Sequence, residues 1–300
     1  MNTHEDPTML TRRSLFRTAT VGALSLSSLA TVAEAKVKNP LPAAKVSEKR
    51  RVLMQSSSRY HNSGYLDFCD EQYERLYGAE KHEILFIPYA RVSSSYDGYE
   101  KQVQDAFKRY GHKIVSIHRF ENPVEAVKKA EAIAVGGGNT WALTTRMYEA
   151  GIIDLIRDRV NAGMPYVGWS AGGNVACPTL RTTNDMPIAE PPSFNTFGFC
   201  PFQTNPHFIS GGTAGLNNET REDRLEEFLA YNRDEEVIGL PEGTALFITG
   251  EFNCEVLGPK DAEPLYWFRQ PEKKFGKMKL ERIALGTKFD VRNVVPGGKL

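Results

Sequence analysis

The stretch YVGWSAGGNVACPT, residues 166–179, decides how the rest of the chain is read. It begins as an apolar run, passes through Gly168, Ser170 and Gly172, and continues into a segment that suits a helix. A serine at the end of a buried strand adds nothing to a core, and an ordinary loop serine needs no small neighbours. The G-x-S-x-G spacing does have a physical use. A nucleophile on a sharp strand-to-helix turn tolerates only tiny flanking residues, and the helix that follows points N–H groups at developing negative charge. A plain turn serine fits the same five residues, so the surrounding chain has to decide.

Working outward, RVLMQSS (51–57) and HEILFIPYA (82–90) read as strands, the second apolar throughout as in a strand covered on both faces. Tyr99, Val103, Ala106, Phe107 and Tyr110 recur at helical spacing over 97–110, and Gly111 ends that helix. HKIVSIHRF (112–120) is predicted as a strand, and NPVEAVKKA (122–130) as a short helix with Pro123 at its first position. EAIAVGGGNT (131–140) runs a strand into three glycines, and 139–160 is helical with a break near Gly151. This alternation predicts an α/β fold with a mainly parallel, flavodoxin-like sheet and helices on both faces. From EVIGLPEG (236–243) onward strands and turns dominate, which predicts a β-rich C-terminal extension. Chemistry in such sheets gathers at the carboxyl ends of strands, where GGGNT, GWSAGG and LPEG lie.

The 300 residues, 41% hydrophobic and 10% aromatic, suffice for a sizeable core. Lys plus Arg and Asp plus Glu number 37 each, so no global field favours nucleic acid or an anionic membrane. The start stands apart: Arg12 and Arg13, a short apolar run at 21–30 and AEA at 33–35 read as a twin-arginine signal peptide over 1–35. Export to the periplasm or beyond is expected, with no stable membrane association after cleavage, because the run is too short and too rich in Ser and Gly to span. Residues 36–50 read as a linker and 51–300 as a single α/β domain. The four cysteines form no C-x-x-C pair, which argues against a zinc ribbon and leaves disulfides and buried thiols both open.

A serine nucleophile needs a base and the base an orienting acid. His82, His112 and His118 flank or lie in predicted strands, and His61 sits in a polar loop. His207, in the loop-like QTNPHF, is the best candidate base. Glu242 stands at the end of the predicted strand EVIGL, and Asp185 in the polar run RTTNDMP; either suits the acid. With Glu242 the chain order is Ser, His, Glu, which argues against an α/β-hydrolase, whereas Asp185 would fit that order. GGGNT lacks a P-loop lysine and the dinucleotide spacing, so the N–H of Gly137 or Gly138 is better read as an oxyanion donor beside that of Ala171. In TREDRLEEFLAY (220–231), Thr220 and Asp223 cap a helix whose first residue is Arg221. A cation is disfavoured there by the dipole unless an anionic ligand joins it.

Together, GWSAGGNVACPTLRTTNDMPI, NPHF, ETREDR, VIGLPEG and VGGGNT resemble the dipeptidase E (aspartyl dipeptidase) family of serine peptidases, over about residues 50–260. The resemblance implies a fold like that of class I glutamine amidotransferases, with serine here in place of their elbow cysteine. It implies Ser170 as nucleophile and His207 as general base, with the orienting acid at the position of Glu242 or of Asp185; strand-end placement favours Glu242. It also implies that Arg221 grips the side chain of the first residue in an Asp-X dipeptide, with no metal or cofactor. Two alternatives remain: a cyanophycinase-like or isoaspartyl peptidase, and a non-catalytic binding protein for small acidic ligands.

Overall fold

The computed structural model describes residues 45–212, 218–270, 276 and 278–300; the expected signal peptide, 1–35, and residues 36–44 of the expected linker lie outside these described residues. The first half alternates strand and helix: β1 (Arg51–Gln55), α1 (Asp70–Tyr77), β2 (Glu83–Ile87), α2 (Tyr96–Phe107), β3 (Lys113–Ser116), α3 (Pro123–Lys129) and β4 (Ala132–Val135). It continues through α4 (Thr140–Glu149), α5 (Ile153–Asn161), β5 (Tyr166–Trp169) and the single turn α6 (Ala171–Asn174). Then come β6 (Gln203–Pro206), α7 (Arg221–Tyr231), β7 (Val237–Leu240), β8 (Ala245–Thr249), β9 (Asn253–Leu257), β10 (Leu265–Arg269), β11 (Lys279–Ile283) and β12 (Lys288–Asp290).

The main sheet runs β12-β9-β8-β1-β5-β4-β2-β3, with β1, β5, β4, β2 and β3 mutually parallel. These strands are buried almost throughout, and successive residues turn to opposite covered faces, as a two-sided cover requires. Along β2, Leu85 and Ile87 enter one apolar cluster with α3, α4 and α5. Ile84 and Phe86 enter the other, with α1 and α2. Helices therefore cover both faces, as the apolar runs predict.

Local sequence explains most of the boundaries. Asn122 caps α3 by accepting from Glu125 N–H, with Pro123 first in the helix. Gly151, at φ 65°, separates α4 from α5. The predicted strand 112–120 is shorter in fact, ending at Ser116 in a turn of 3₁₀ helix. There His118 Nδ1 lies 2.6 Å from Ser116 Oγ.

The β-rich tail is present as expected and is built into the sheets: β8, β9 and β12 widen the main sheet in antiparallel fashion, while β10 and β11 join β7 and β6 in a second, four-stranded sheet. Within the expected linker, 36–50, contacts with the domain already begin at Ser47. Ser47 N–H donates to Asn161 O, and the buried Arg50 side chain donates to Gly250 O, Glu251 O and Asn161 Oδ1. Cys177, Cys200 and Cys254 are buried free thiols. Among the described residues no helix is long and apolar enough to cross a membrane.

Candidate active site

Ser170 sits between β5 and α6 with φ 55° and ψ −114°, a backbone conformation that L-residues rarely adopt. Its glycine neighbours are required by close contact. A Cβ on Gly168 would stand 2.2 Å from Gly172 O, and one on Gly172 would stand 2.1 Å from Val135 O. The elbow is thus pressed against the end of β4. Because α6 is a single turn, the N–H of Ala171 would serve an anion as a local donor rather than as the end of a long dipole.

The loop after β4 lies against the same serine. A Cβ on Gly137 would come within 2.9 Å of Ser170 Cβ, and one on Gly138 within 2.3 Å of Ala90 O. Gly137 O accepts from Tyr99 Oη at 3.1 Å, which fixes the peptide plane. The backbone of residue 137 therefore packs directly against Ser170, the neighbourhood in which an oxyanion donor would have to lie.

His207 directly follows β6. Its Nε2 is 2.9 Å from Ser170 Oγ and its Nδ1 is 2.9 Å from Glu242 Oε1. With a carboxylate acceptor at Nδ1, the proton belongs there and Nε2 is left to accept the serine O–H. Both ring nitrogens are occupied, so Asp185 has no place on this imidazole. Its Oδ2 instead accepts from Thr140 N–H at 2.7 Å, Thr140 Oγ1 at 2.6 Å and Thr183 Oγ1 at 3.0 Å.

QTNP is not loop but a buried strand, and its polarity explains why no apolar run announces it. Gln203 Nε2 donates to Thr179 Oγ1, and Asn205 Nδ2 donates to Thr182 O and Asn184 Oδ1. Sequence reasoning also passes over Ser56, at the end of β1. Ser56 Oγ donates to Leu240 O and accepts from His207 N–H, while Ser57 Oγ accepts from Gly243 N–H. These two hydroxyls hold the loops that carry His207 and Glu242. The polar end of RVLMQSS is the signal that would have found them.

Arg221 opens α7 behind a complete Thr220–Asp223 capping box. Its Nη1 donates to Pro206 O at 3.3 Å, one residue before His207. Burial holds its guanidinium below the ordinary value, Arg224 adds to this, and Glu242 and Asp185 partly offset it. A half-buried cation held beside the residue that precedes His207 is suited to an anionic ligand group. Elsewhere, Asp97, Glu100 and His118 bring ligand atoms within 4.8 Å of one another. Arg119 already bridges the two acids at 2.6 and 2.7 Å, which makes the group an ion-pair network.

The model of peptidase family S51 matches residues 52–254, a span that holds every residue just described. The chain belongs to peptidase family S51. Among its relatives, it is 47% identical to Peptidase E of Pasteurella multocida over 213 residues, 71% of this chain and 91% of that protein. It is 46% identical to Peptidase E of Actinobacillus pleuropneumoniae serotype 7 over 242 residues, 80% of this chain and 99% of that one. A crystal structure of a peptidase from an acI-B1 actinobacterium matches in fold, with a TM-score of 0.54 at 18% identity, covering 82% of this chain and 98% of that one. The S51 assignment makes this protein a peptidase, a hydrolase of peptide bonds.

Proposed function

We propose that the protein is a serine-type dipeptidase that removes N-terminal aspartate from Asp-X. The observation carrying this reading is the continuous chain Ser170 Oγ, His207 Nε2, His207 Nδ1 and Glu242 Oε1, with 2.9 Å at each hydrogen bond. The name Peptidase E, borne by its relatives, supports the same reaction class.

Arg221 holds the substrate's side-chain carboxylate by a charge-assisted contact. Ser170 Oγ attacks the scissile carbonyl carbon while its proton passes to His207 Nε2. The oxygen, now anionic, accepts from the N–H of Ala171 and from the 137–138 loop; losing one such donor costs roughly 10²–10³ in kcat. Nε2 returns the proton to the amine nitrogen as the C–N bond breaks and residue X departs. Water, deprotonated by Nε2, then attacks the ester carbon, and Ser170 is regenerated as free aspartate leaves. Glu242 stabilises the imidazolium at each step. A non-catalytic binding protein would need none of this geometry.

Arg221→Ala tests the substrate reading. It should lower kcat/KM on Asp-X by about 10²-fold while a dipeptide with a neutral first residue changes far less; equal losses would overturn the role. A panel of Asp-X, Glu-X, Asn-X and isoaspartyl dipeptides should single out Asp-X, and preference for the isoaspartyl bond would replace this reading with the isoaspartyl peptidase. The twin-arginine signal adds a proposal about place: the protein acts outside the cytoplasm on acidic dipeptides. Fractionation should find a form beginning at Lys36 outside the cytoplasm, and a purely cytosolic form would end that proposal.

A further inference from the structure

The two oxygens of Asp185 have different surroundings. Oδ2 takes all three hydrogen bonds, from Thr140 N–H, Thr140 Oγ1 and Thr183 Oγ1. Oδ1 has no hydrogen-bond partner among the described residues, and the side chain is only partly buried. A carboxylate offers about four lone-pair sites, so half of this one is left for something other than protein.

Its position is set from two directions. Thr140 is the first residue of α4, directly after the loop that carries Gly137 and Gly138. On the other side, Asn184 Nδ2 donates to Pro206 O at 2.9 Å, and Arg221 Nη1 reaches the same carbonyl at 3.3 Å. Residues 184–185 thus fill the interval between the oxyanion loop and Arg221.

A free Asp-X dipeptide brings three groups to that interval, all hanging from one Cα: the scissile carbonyl, the side-chain carboxylate and the α-ammonium. With the carbonyl oxygen at the oxyanion loop and the carboxylate on Arg221, the ammonium falls between them. Leaving that charge desolvated and unpaired would be expensive. Glu242 is poorly placed to serve, because it lies across the imidazole ring from Ser170, at Nδ1. We propose that Oδ1 of Asp185 binds the substrate's α-ammonium, so that this carboxylate restricts the enzyme to free N-termini. Asp185 and Glu242 both act electrostatically on Arg221, in keeping with a shared cleft.

The proposal rests on the peptidase reading above, and its test separates the two. Aspartyl p-nitroanilide and succinyl p-nitroanilide share the carboxylate and the scissile bond, but only the first has the ammonium. Wild-type enzyme should favour the aspartyl compound by about 10²-fold in kcat/KM. Asp185→Asn keeps an oxygen for Thr140 and removes the charge; it should erase that preference, chiefly through KM, while the succinyl rate falls much less. Thr183→Val, which loosens the clamp but keeps the charge, should lower both substrates together and preserve the ratio. Equal loss on both substrates in a folded Asp185→Asn, or collapse of the ratio in Thr183→Val, overturns the proposal. Should Asp185→Asn not fold, the wild-type ratio decides alone, and a value near one overturns it. Wild-type enzyme that cleaves neither compound, or Ser170→Ala that still cleaves both, would instead sink the reading as an Asp-X serine dipeptidase.

Discussion

On the main sheet, Ser170 is fixed by backbone: Gly168 and Gly172 let chain segments touch where no side chain fits, and Ser170 N–H donates to Gln55 O. On the second sheet, His207 is fixed by polar side chains: Ser56 on its amide and Glu242 on its ring, with Asn184 on the carbonyl just before it. The first arrangement resists change because atoms are in contact. The second depends on hydrogen bonds, each contributing about 1 kcal/mol. Damage to the serine half should therefore appear first as lost stability, and damage to the histidine half first as lost rate.

The largest expected effects treat the halves as one unit. Ser170→Ala and His207→Ala should each lower kcat by about 10⁶, and Glu242→Ala by about 10⁴; steady-state kinetics on Asp-X checks the ranking, and a Glu242 variant as dead as the other two would mean its role exceeds orientation. Next comes Gly172→Ala. Its new Cβ would meet Val135 O at 2.1 Å, so a loss of about 3 kcal/mol is expected, visible in thermal melting. Ser56→Ala should cost about 1–2 kcal/mol but lower kcat roughly 10-fold through a misplaced imidazole. Should Ser56→Ala melt early yet turn over normally, the contrast between the halves is wrong.

The smallest effect concerns acid. Burial, aided by His82 and Lys81, lowers His112 to about 4 from its ordinary 6.5. An unfolded chain takes up this proton near 6.5 while the folded one resists until about 4. Stability therefore falls as pH drops through that window. His112→Gln should shrink the difference between denaturant midpoints measured at pH 7 and at about 4.5; an unchanged difference would clear His112 of acid sensitivity.

These contrasts also explain what could be read in advance. The parallel strands are legible because both faces are covered, so their residues form apolar runs such as EILFI. The serine elbow is legible because contact demands glycine at fixed spacing. Strand β6 of the second sheet is not, since it is polar and pairs with β7 across some thirty residues. In one dimension only its strand-end placement favours Glu242 over Asp185; the direction of His207 Nδ1 decides between them. Ser56 is marked only by the polar end of RVLMQSS, because the two distant loops that its hydroxyl bridges leave no pattern beside it.

Ser170 and His207 share one further property: φ is 55° at the first and 53° at the second. Such conformations cost about 1–3 kcal/mol each, and glycine would relieve much of that strain. A library selected only for survival on heating would therefore drift toward glycine at both positions and discard the reaction, so any thermostabilisation campaign on this scaffold needs a turnover screen at every round.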